Sequence, residues 1–176
     1  MFAKRSLAQH EVSRLIEKIP TLRDRTLLVL GLNTGFRISE ILSLTREDVV
    51  SVDGVVKPHL SISRCKGGKS RTVVLNESAR QALSIYLAQC HTTKLFPITK
   101  QHYWRVLKSA CKISGIDPTL VGTHSMRKTF AQKIYTAMGN DIYATSKALG
   151  HANIATTVAY LGVCQADIEA AILSFK

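Results

Sequence analysis

The sequence predicts a mainly helical α+β fold with one small three-stranded antiparallel sheet. Apolar residues recur at helical spacing over most of the 176 residues, whereas a valine-rich stretch between positions 49 and 75 alternates like short strands. Hydrophobic residues make up 45% of the chain, which is ample for one compact core at this length.

Three helices are expected before the strands. Residues 7–18 carry apolar side chains at helical spacing, and Pro20 ends this first helix. Residues 21–33 are rich in leucine and valine and predict a core helix that is interrupted at Gly35. A third helix is predicted for residues 37–44.

The valine-rich stretch predicts a small β-meander. The expected strands are residues 49–52, 55–63 and 71–75. The Asp53-Gly54 pair supplies the first turn, and Gly67-Gly68 supplies the second.

Helices are predicted again from Glu77 almost to the C-terminus, separated by proline and glycine. The expected segments are 77–89, 99–114, 124–138, 141–149, 153–160 and 165–174. Since no repeat or long linker interrupts the chain, we expect one domain over residues 6–176, with no further domain before it.

The chain is strongly basic. It has 24 Lys and Arg against 12 Asp and Glu, a formal net charge of +12. From Ser78 to Lys147 the only acids are Asp117 and Asp141, and clustered cations without matching acids favour a phosphate backbone as partner. A phosphate backbone is therefore the expected partner, and a solvated charged surface is the alternative.

Several classes of protein are not indicated by the sequence. The four cysteines form no C-x-x-C pair, the histidines form no H-E-x-x-H set, and no complete glycine-rich phosphate loop is present. We therefore expect no metal and no cofactor. No apolar run approaches the roughly 18 residues of a membrane span, and no signal peptide is recognisable, so a cytoplasmic protein is expected.

Two arginines lie in segments that are predicted to be partly buried. Arg37 begins a helix, and Arg127 follows His124 by about one helical turn, beside an apolar stripe. A planar guanidinium suits bidentate capture of phosphate oxygens, and two of them would stabilise charge on a five-coordinate phosphorus. The alternative is a structural ion pair, for example of Arg37 with Glu40 or Glu47.

Four short segments are weak signals one by one, but together and in this order they form a specific pattern. In chain order they are Thr34-Gly35-Phe36-Arg37-Ile38-Ser39-Glu40, Cys65-Lys66-Gly67-Gly68-Lys69-Ser70-Arg71, Thr123-His124-Ser125-Met126-Arg127, and Leu149-Gly150-His151 with Tyr160 nine residues later. This order resembles the tyrosine recombinase, or phage integrase, family. The resemblance covers the catalytic domain of that family, from about Leu7 to the C-terminus.

The resemblance implies a catalytic site without metal or ATP. Its phosphate-binding set would be Arg37, Lys66, His124, Arg127 and His151, with Tyr160 as the nucleophile. A phenol with a pKa near ~10 attacks poorly unless cations favour the phenolate and a base takes its proton. Lys66 would protonate the leaving 5′-oxygen, and the product would be a 3′-phosphotyrosine.

Alternatives to these assignments stay open. Lys69 competes with Lys66, while His151 could cap a helix and His124 could be a core histidine. The other candidate nucleophiles are Tyr86, Tyr135 and Tyr143. The sequence also departs from the family pattern, because Lys128 stands where many members have a second histidine and Val74 replaces a frequent proline.

Further basic residues are expected to contact DNA. They are Arg64, Lys69, Arg71, Arg105, Lys108, Lys112 and Lys128. Arg105, Lys108 and Lys112 share one helix face, next to a stripe formed by Trp104, Leu107 and Cys111. The amphipathic segment 166–175 is expected to mediate self-association on DNA, or else to dock on its own core.

The function expected from the resemblance is site-specific recombination or integration of DNA in a bacterial or phage setting. A topoisomerase of type IB is the second enzymatic hypothesis, because similar chemistry relaxes supercoils. A DNA-binding regulator without catalysis is the third, and the presence of all six site residues argues against it.

Overall fold

The computed structural model describes residues 4–62, 70–161, 169 and 172–174. The elements of this described part are α1 Gln9–Lys18, α2 Leu22–Thr34, α3 Ile38–Leu42, α4 Arg46–Val49, β1 His59–Ile62, β2 Arg71–Val74, α5 Glu77–Leu87, α6 Lys100–Ile113, α7 Thr123–Ala137, α8 Ile142–Leu149 and α9 Ile154–Leu161. The prediction of a mainly helical α+β fold with a small antiparallel sheet is confirmed.

Polar side chains just before four of the helices explain where those helices begin. The side-chain oxygens of Thr21, Asn76, Thr99 and Asp141 accept hydrogen bonds from backbone amides three residues further on, at 3.0 to 3.2 Å. Such caps satisfy amides that the first helical turn leaves without an intrahelical partner.

The sheet differs from its prediction. In the described residues it has two strands, β1 and β2, paired antiparallel so that His59 faces Val74 and Ile62 faces Arg71. The predicted strand 49–52 is wrong. Its first residue ends the short helix α4, and only an isolated bridge joins Val50 to Val56.

Capping and exposure explain why that third strand does not form. The Asp48 carboxylate accepts hydrogen bonds from the Thr45 amide at 2.8 Å and from the Thr45 hydroxyl at 2.9 Å, which favours a helical turn. Val52 and Val55 are 103% and 60% exposed. Since only Val49 and Val56 of this stretch are buried, the valines do not form the continuous buried face that defines a strand.

The hydrophobic core of the first 130 residues is built around α2, which packs on α5. Leu27, Leu28 and Leu30 of α2 are completely buried. The prediction that this segment is a core helix is confirmed. Tyr86 at the end of α5 stacks on Phe96 with ring centroids 5.4 Å apart, so the loop after α5 belongs to the same core.

The chain divides into two compact units, Met1–Phe130 and Ala131–Lys176, with the boundary inside α7. The second unit contains α8 and α9, which contact each other. Most of the predicted helix 165–174 lies outside the described residues. Within the described ranges, no helix has both the length and the apolar character needed to cross a membrane.

Gly35 ends α2 in the left-handed conformation, with φ at +61°. A β-carbon at this position would overlap the ring of Phe130. Both the backbone and the surrounding space therefore require glycine.

We predict that Gly35→Ala lowers the free energy of unfolding by about 1–3 kcal/mol more than Gly54→Ala, because overlap with Phe130 adds to the backbone strain. Gly54 also has a positive φ, of +79°, but nothing lies within 4 Å of its β-position. Urea unfolding of both variants measures the difference. Equal losses would show that the Phe130 ring moves aside at no cost.

Candidate active site

Arg127 is the most deeply buried charged group of the predicted site. It lies in α7 and is only 2% exposed. Its Nη1 donates a hydrogen bond to the backbone oxygen of Gly35, 92 residues earlier in the chain. A buried guanidinium requires such polar partners, so this contact fixes the side chain in one orientation.

Arg37 directly precedes α3 and is held by an acid of that helix. Its backbone amide donates to Glu40 Oε2 at 2.7 Å, and its Nη1 donates to Glu40 Oε1 at 2.8 Å. The side chain of Glu40 is 6% exposed, whereas that of Arg37 is 35% exposed. The ion pair with Glu40 therefore exists, but it engages one nitrogen of a group with five donors, so Arg37 can be held by Glu40 and also bind an anion.

One short turn connects the two arginines. We call residues 34–37 the 34–37 turn. Its second residue, Gly35, accepts from Arg127, and its last residue is Arg37 itself. The turn is fixed internally, because the Thr34 hydroxyl accepts from the Phe36 amide at 3.2 Å and donates to the Leu30 carbonyl at 2.7 Å.

His124 lies in the first turn of α7, three residues before Arg127. Although it is exposed, partial desolvation of its ring is the main cause that lowers its pKa below 6.5. Nearby positive charges act in the same direction, and in decreasing order they are Lys100, Arg127, Arg37 and Lys128. The imidazole is therefore neutral near pH 7 and can accept a proton or a hydrogen bond.

His151 and Tyr160 lie in the second unit. Gly150 ends α8 with φ at +66°, and the amide of His151 donates to the Ser146 carbonyl at 3.1 Å. The backbone of His151 thus caps α8, as the structural alternative expects. Its side chain has a separate role, because Nδ1 lies 2.8 Å from the hydroxyl of buried Thr157 in α9.

The two aromatic rings of this unit contact each other. The ring centroids of His151 and Tyr160 are 5.6 Å apart, at an angle of 75° between the planes. An edge-to-face contact of this kind fixes the imidazole beside the phenol. Tyr160 therefore contacts a histidine that is itself held by Thr157 of the same helix, α9.

Of the four predicted site residues between positions 64 and 71, the structure describes one. Lys66, Arg64 and Lys69 lie outside the described residues. Arg71 is half-buried, and its Nη2 donates to the Thr34 carbonyl.

The basic face of α6 is only partly directed to solvent. Arg105 and Lys112 are exposed, as predicted for DNA contacts. Lys108 instead donates to the carbonyls of Pro118 and Val121, the latter at 2.7 Å, and lies over the ring of Trp104 at 5.3 Å. Desolvation and the nearby Lys4 lower the pKa of Lys108. Its ammonium group therefore has structural partners in the loop before α7.

The stripe beside this face differs in one position from its prediction. Leu107 and Cys111 are completely buried, but Trp104 is 48% exposed. Trp104, Arg105, Lys108, Ser109, Lys112, Pro118 and Thr119 line an open groove of about 490 Å³. Lys128 is half-buried and adds its charge to the surroundings of His124.

Comparison with known proteins decides the family. The sequence model of the phage integrase family matches residues 5–166. The chain belongs to the phage integrase family. Its match includes both arginines, both histidines and the tyrosine described above.

Individual relatives agree with this membership. Tyrosine recombinase XerD of Bradyrhizobium diazoefficiens is 30% identical over 187 residues, which cover 96% of this chain and 57% of that protein. This integrase-family chain thus spans a little over half of that relative's length.

Solved structures have the same fold. The crystal structure of XerA recombinase aligns with a TM-score of 0.77 at 26% identity, over 97% of this chain and 65% of that one. The Tn1549 transposon integrase in complex with circular intermediate DNA aligns with a TM-score of 0.76 at 21% identity, over 98% and 67%.

Three contacts of this integrase-family site were not predicted from sequence. They are the Gly35 carbonyl that holds Arg127, the Thr157 hydroxyl that holds His151, and the contact of Arg71 with the 34–37 turn. The Gly35 contact gives no signal in the sequence, because every residue type has a backbone carbonyl. The contact of His151 did have a signal, a threonine six residues after the histidine. In the described ranges, no group of three or more His, Cys, Asp or Glu residues is arranged to hold a metal ion.

We predict that stability falls with decreasing pH from about 6.5 downward, in part through His124. Its pKa is lower in the folded chain than in the unfolded chain, so the unfolded state binds the proton first and is favoured as pH falls. Urea unfolding at several pH values should show that the free energy of unfolding falls less with decreasing pH in His124→Gln than in the original chain. An imidazole NMR titration with a midpoint above 6.5 would contradict the lowered pKa.

Proposed function

We propose that this chain is the catalytic part of a site-specific recombinase that cleaves and rejoins DNA through a 3′-phosphotyrosine. The observation that carries the proposal is that two arginines share one short turn: the Arg127 guanidinium donates to the Gly35 carbonyl, and Arg37, two residues further on, is held by Glu40. Two such groups suit the two non-bridging oxygens of a phosphodiester. The name of the XerD relative, a tyrosine recombinase, supports the same activity.

In the proposed reaction the oxygen of Tyr160 attacks the phosphorus of the DNA backbone. A bond forms between that oxygen and phosphorus, the bond from phosphorus to the 5′-oxygen breaks, and Lys66 gives a proton to the leaving oxygen. The arginines stabilise the charge of the five-coordinate phosphorus. Attack by a 5′-hydroxyl reverses these steps and rejoins the strand, so no ATP is consumed.

The histidines have different proposed tasks. The lowered pKa keeps His124 neutral, so it can accept a hydrogen bond or the phenolic proton. His151, oriented by Thr157, lies against the ring of Tyr160 and would bind the phosphate beside it. The task of His151 thus depends on a ring that Thr157 orients before DNA binds.

Double-stranded DNA is the proposed substrate and partner. The net charge of +12 and the exposed Arg105 and Lys112 support electrostatic binding of a phosphate backbone. The Tn1549 integrase, which shares the fold, was solved with DNA. Self-association through the C-terminal segment and a cytoplasmic location are parts of the same proposal.

We predict that Tyr160→Phe abolishes covalent attachment to a nicked suicide duplex, because only the nucleophilic oxygen is removed. A denaturing gel measures the adduct. Tyr143→Phe is the matched control, since Tyr143 lies in the adjacent helix α8 and is 62% exposed, and it should attach normally. An adduct formed by Tyr160→Phe, or lost only in Tyr143→Phe, would contradict the assignment.

Religation by a single protomer would relax supercoils, as a type IB topoisomerase does. The protein without substitutions is therefore incubated with supercoiled plasmid that carries the target site. Recombinant products support the proposal, whereas efficient relaxation without them would replace it by the topoisomerase hypothesis.

The lysine assignment gives a separate prediction. Lys66→Ala should cripple cleavage of an ordinary duplex but not of one whose bridging 5′-oxygen is sulfur, because a thiolate leaves without protonation. Cleavage by Arg37→Ala should be slower on both substrates by a factor of roughly 10²–10³, because Arg37 stabilises charge on the non-bridging oxygens and not on the leaving oxygen. Rescue of Lys69→Ala in place of Lys66→Ala would move the role to Lys69.

A further inference from the structure

Arg71 contacts the 34–37 turn, which carries Arg37 and binds Arg127. It is the first residue of β2 and pairs with Ile62 of β1. Its Nη2 donates to the Thr34 carbonyl, and its guanidinium carbon lies 4.8 Å from the centroid of the Phe36 ring. Phe36 is 1% exposed, so this cation–π contact is shielded from water.

We propose that Arg71 is a positioning residue, which holds the 34–37 turn so that Arg37 and Arg127 present their guanidinium groups correctly. The inference rests on the proposed function, because it assigns Arg71 a task within that site. It replaces the expectation from sequence that Arg71 binds DNA directly.

The contacts of the 34–37 turn explain how Arg71 acts on both Arg37 and Arg127. Thr34 is the last residue of α2, where carbonyls have no partner within the helix, and Arg71 supplies one. The next residue accepts from Arg127, and Phe36 directly precedes Arg37. A displacement of Thr34 or Phe36 therefore moves the acceptor for Arg127 and the backbone that carries Arg37.

A direct DNA contact and a positioning role predict different kinetics. Loss of a phosphate contact weakens DNA binding and reduces its salt dependence. Loss of positioning leaves binding nearly unchanged and slows the chemical step, because small misplacements of catalytic groups are costly. Affinity and the single-turnover rate at saturating DNA therefore separate the two roles.

The test compares Arg71→Met with Arg46→Met. Arg46 is a matched control, because it is also half-buried and its Nη1 donates to a backbone carbonyl, that of Cys90, at 2.7 Å. Arg71→Met should slow cleavage of the suicide duplex by about 10- to 100-fold with affinity changed less than about twofold, and Arg46→Met should do neither. Arg71→Lys, which keeps a cation for Phe36, should fall between Arg71→Met and the original chain.

Amide hydrogen exchange supplies a measurement that needs no DNA. The amides of Phe36 and Arg37 should exchange faster in Arg71→Met than in Arg46→Met, at comparable thermal stability of the two variants. If Arg71→Met is too unstable to compare, Arg71→Lys takes its place in both measurements.

Each outcome decides the inference. Faster exchange together with slower cleavage at constant affinity supports it. Unchanged exchange, unchanged cleavage, or a loss confined to affinity and its salt dependence overturns it. If the original chain forms no adduct, the proposed function fails and the catalytic task of Arg71 fails with it, while the exchange measurement still decides whether Arg71 holds the turn.

Discussion

The burial of one positive charge organises the first unit of this protein. Arg127 is placed within the fold at 2% exposure, where a guanidinium is stable only if backbone or side-chain oxygens surround it. The Gly35 carbonyl is one of these oxygens, and it is available because the chain turns sharply at the end of α2. The left-handed glycine, the buried Phe36 and the ion pair of Arg37 with Glu40 all belong to the structure of that turn.

Several positive charges act on His124. Desolvation first, and then the charges of Lys100, Arg127, Arg37 and Lys128, lower the pKa of its imidazole and keep it neutral. Under the proposed function, a bound phosphodiester would bring negative charge close to these cations and reduce their mutual repulsion.

The sequence predicted helices well where caps and apolar spacing agreed. The helices that follow Thr21, Asn76 and Thr99 begin within one residue of their predicted starts, because each cap is a local interaction. The sheet was predicted less well. Val49 to Val52 have the composition of a strand, but the local cap at Asp48 favours a helical turn, and among the described residues only an isolated bridge pairs with this segment.

For the site, the candidate residues could be selected from the sequence, but the contacts that support them could not. The order of four short segments, through its resemblance to a known family, selected Arg37, His124, Arg127, His151 and Tyr160 as candidates. The supporting contacts were not predicted, since Gly35 contributes a backbone oxygen and Arg71 lies over the ring of Phe36. Such contacts depend on which elements pack together, which is a property of the whole fold.

The hydrogen bond between His151 and Thr157 has a consequence for how the ring of Tyr160 can move. Thr157 lies on α9, three residues before Tyr160, while the ring of His151 also contacts the phenol. A shift or rotation of α9 that carries the phenol therefore also carries the hydroxyl that orients the imidazole. The two rings should move together, and under the proposed function a conformation that withdraws one from a DNA strand withdraws the other with it.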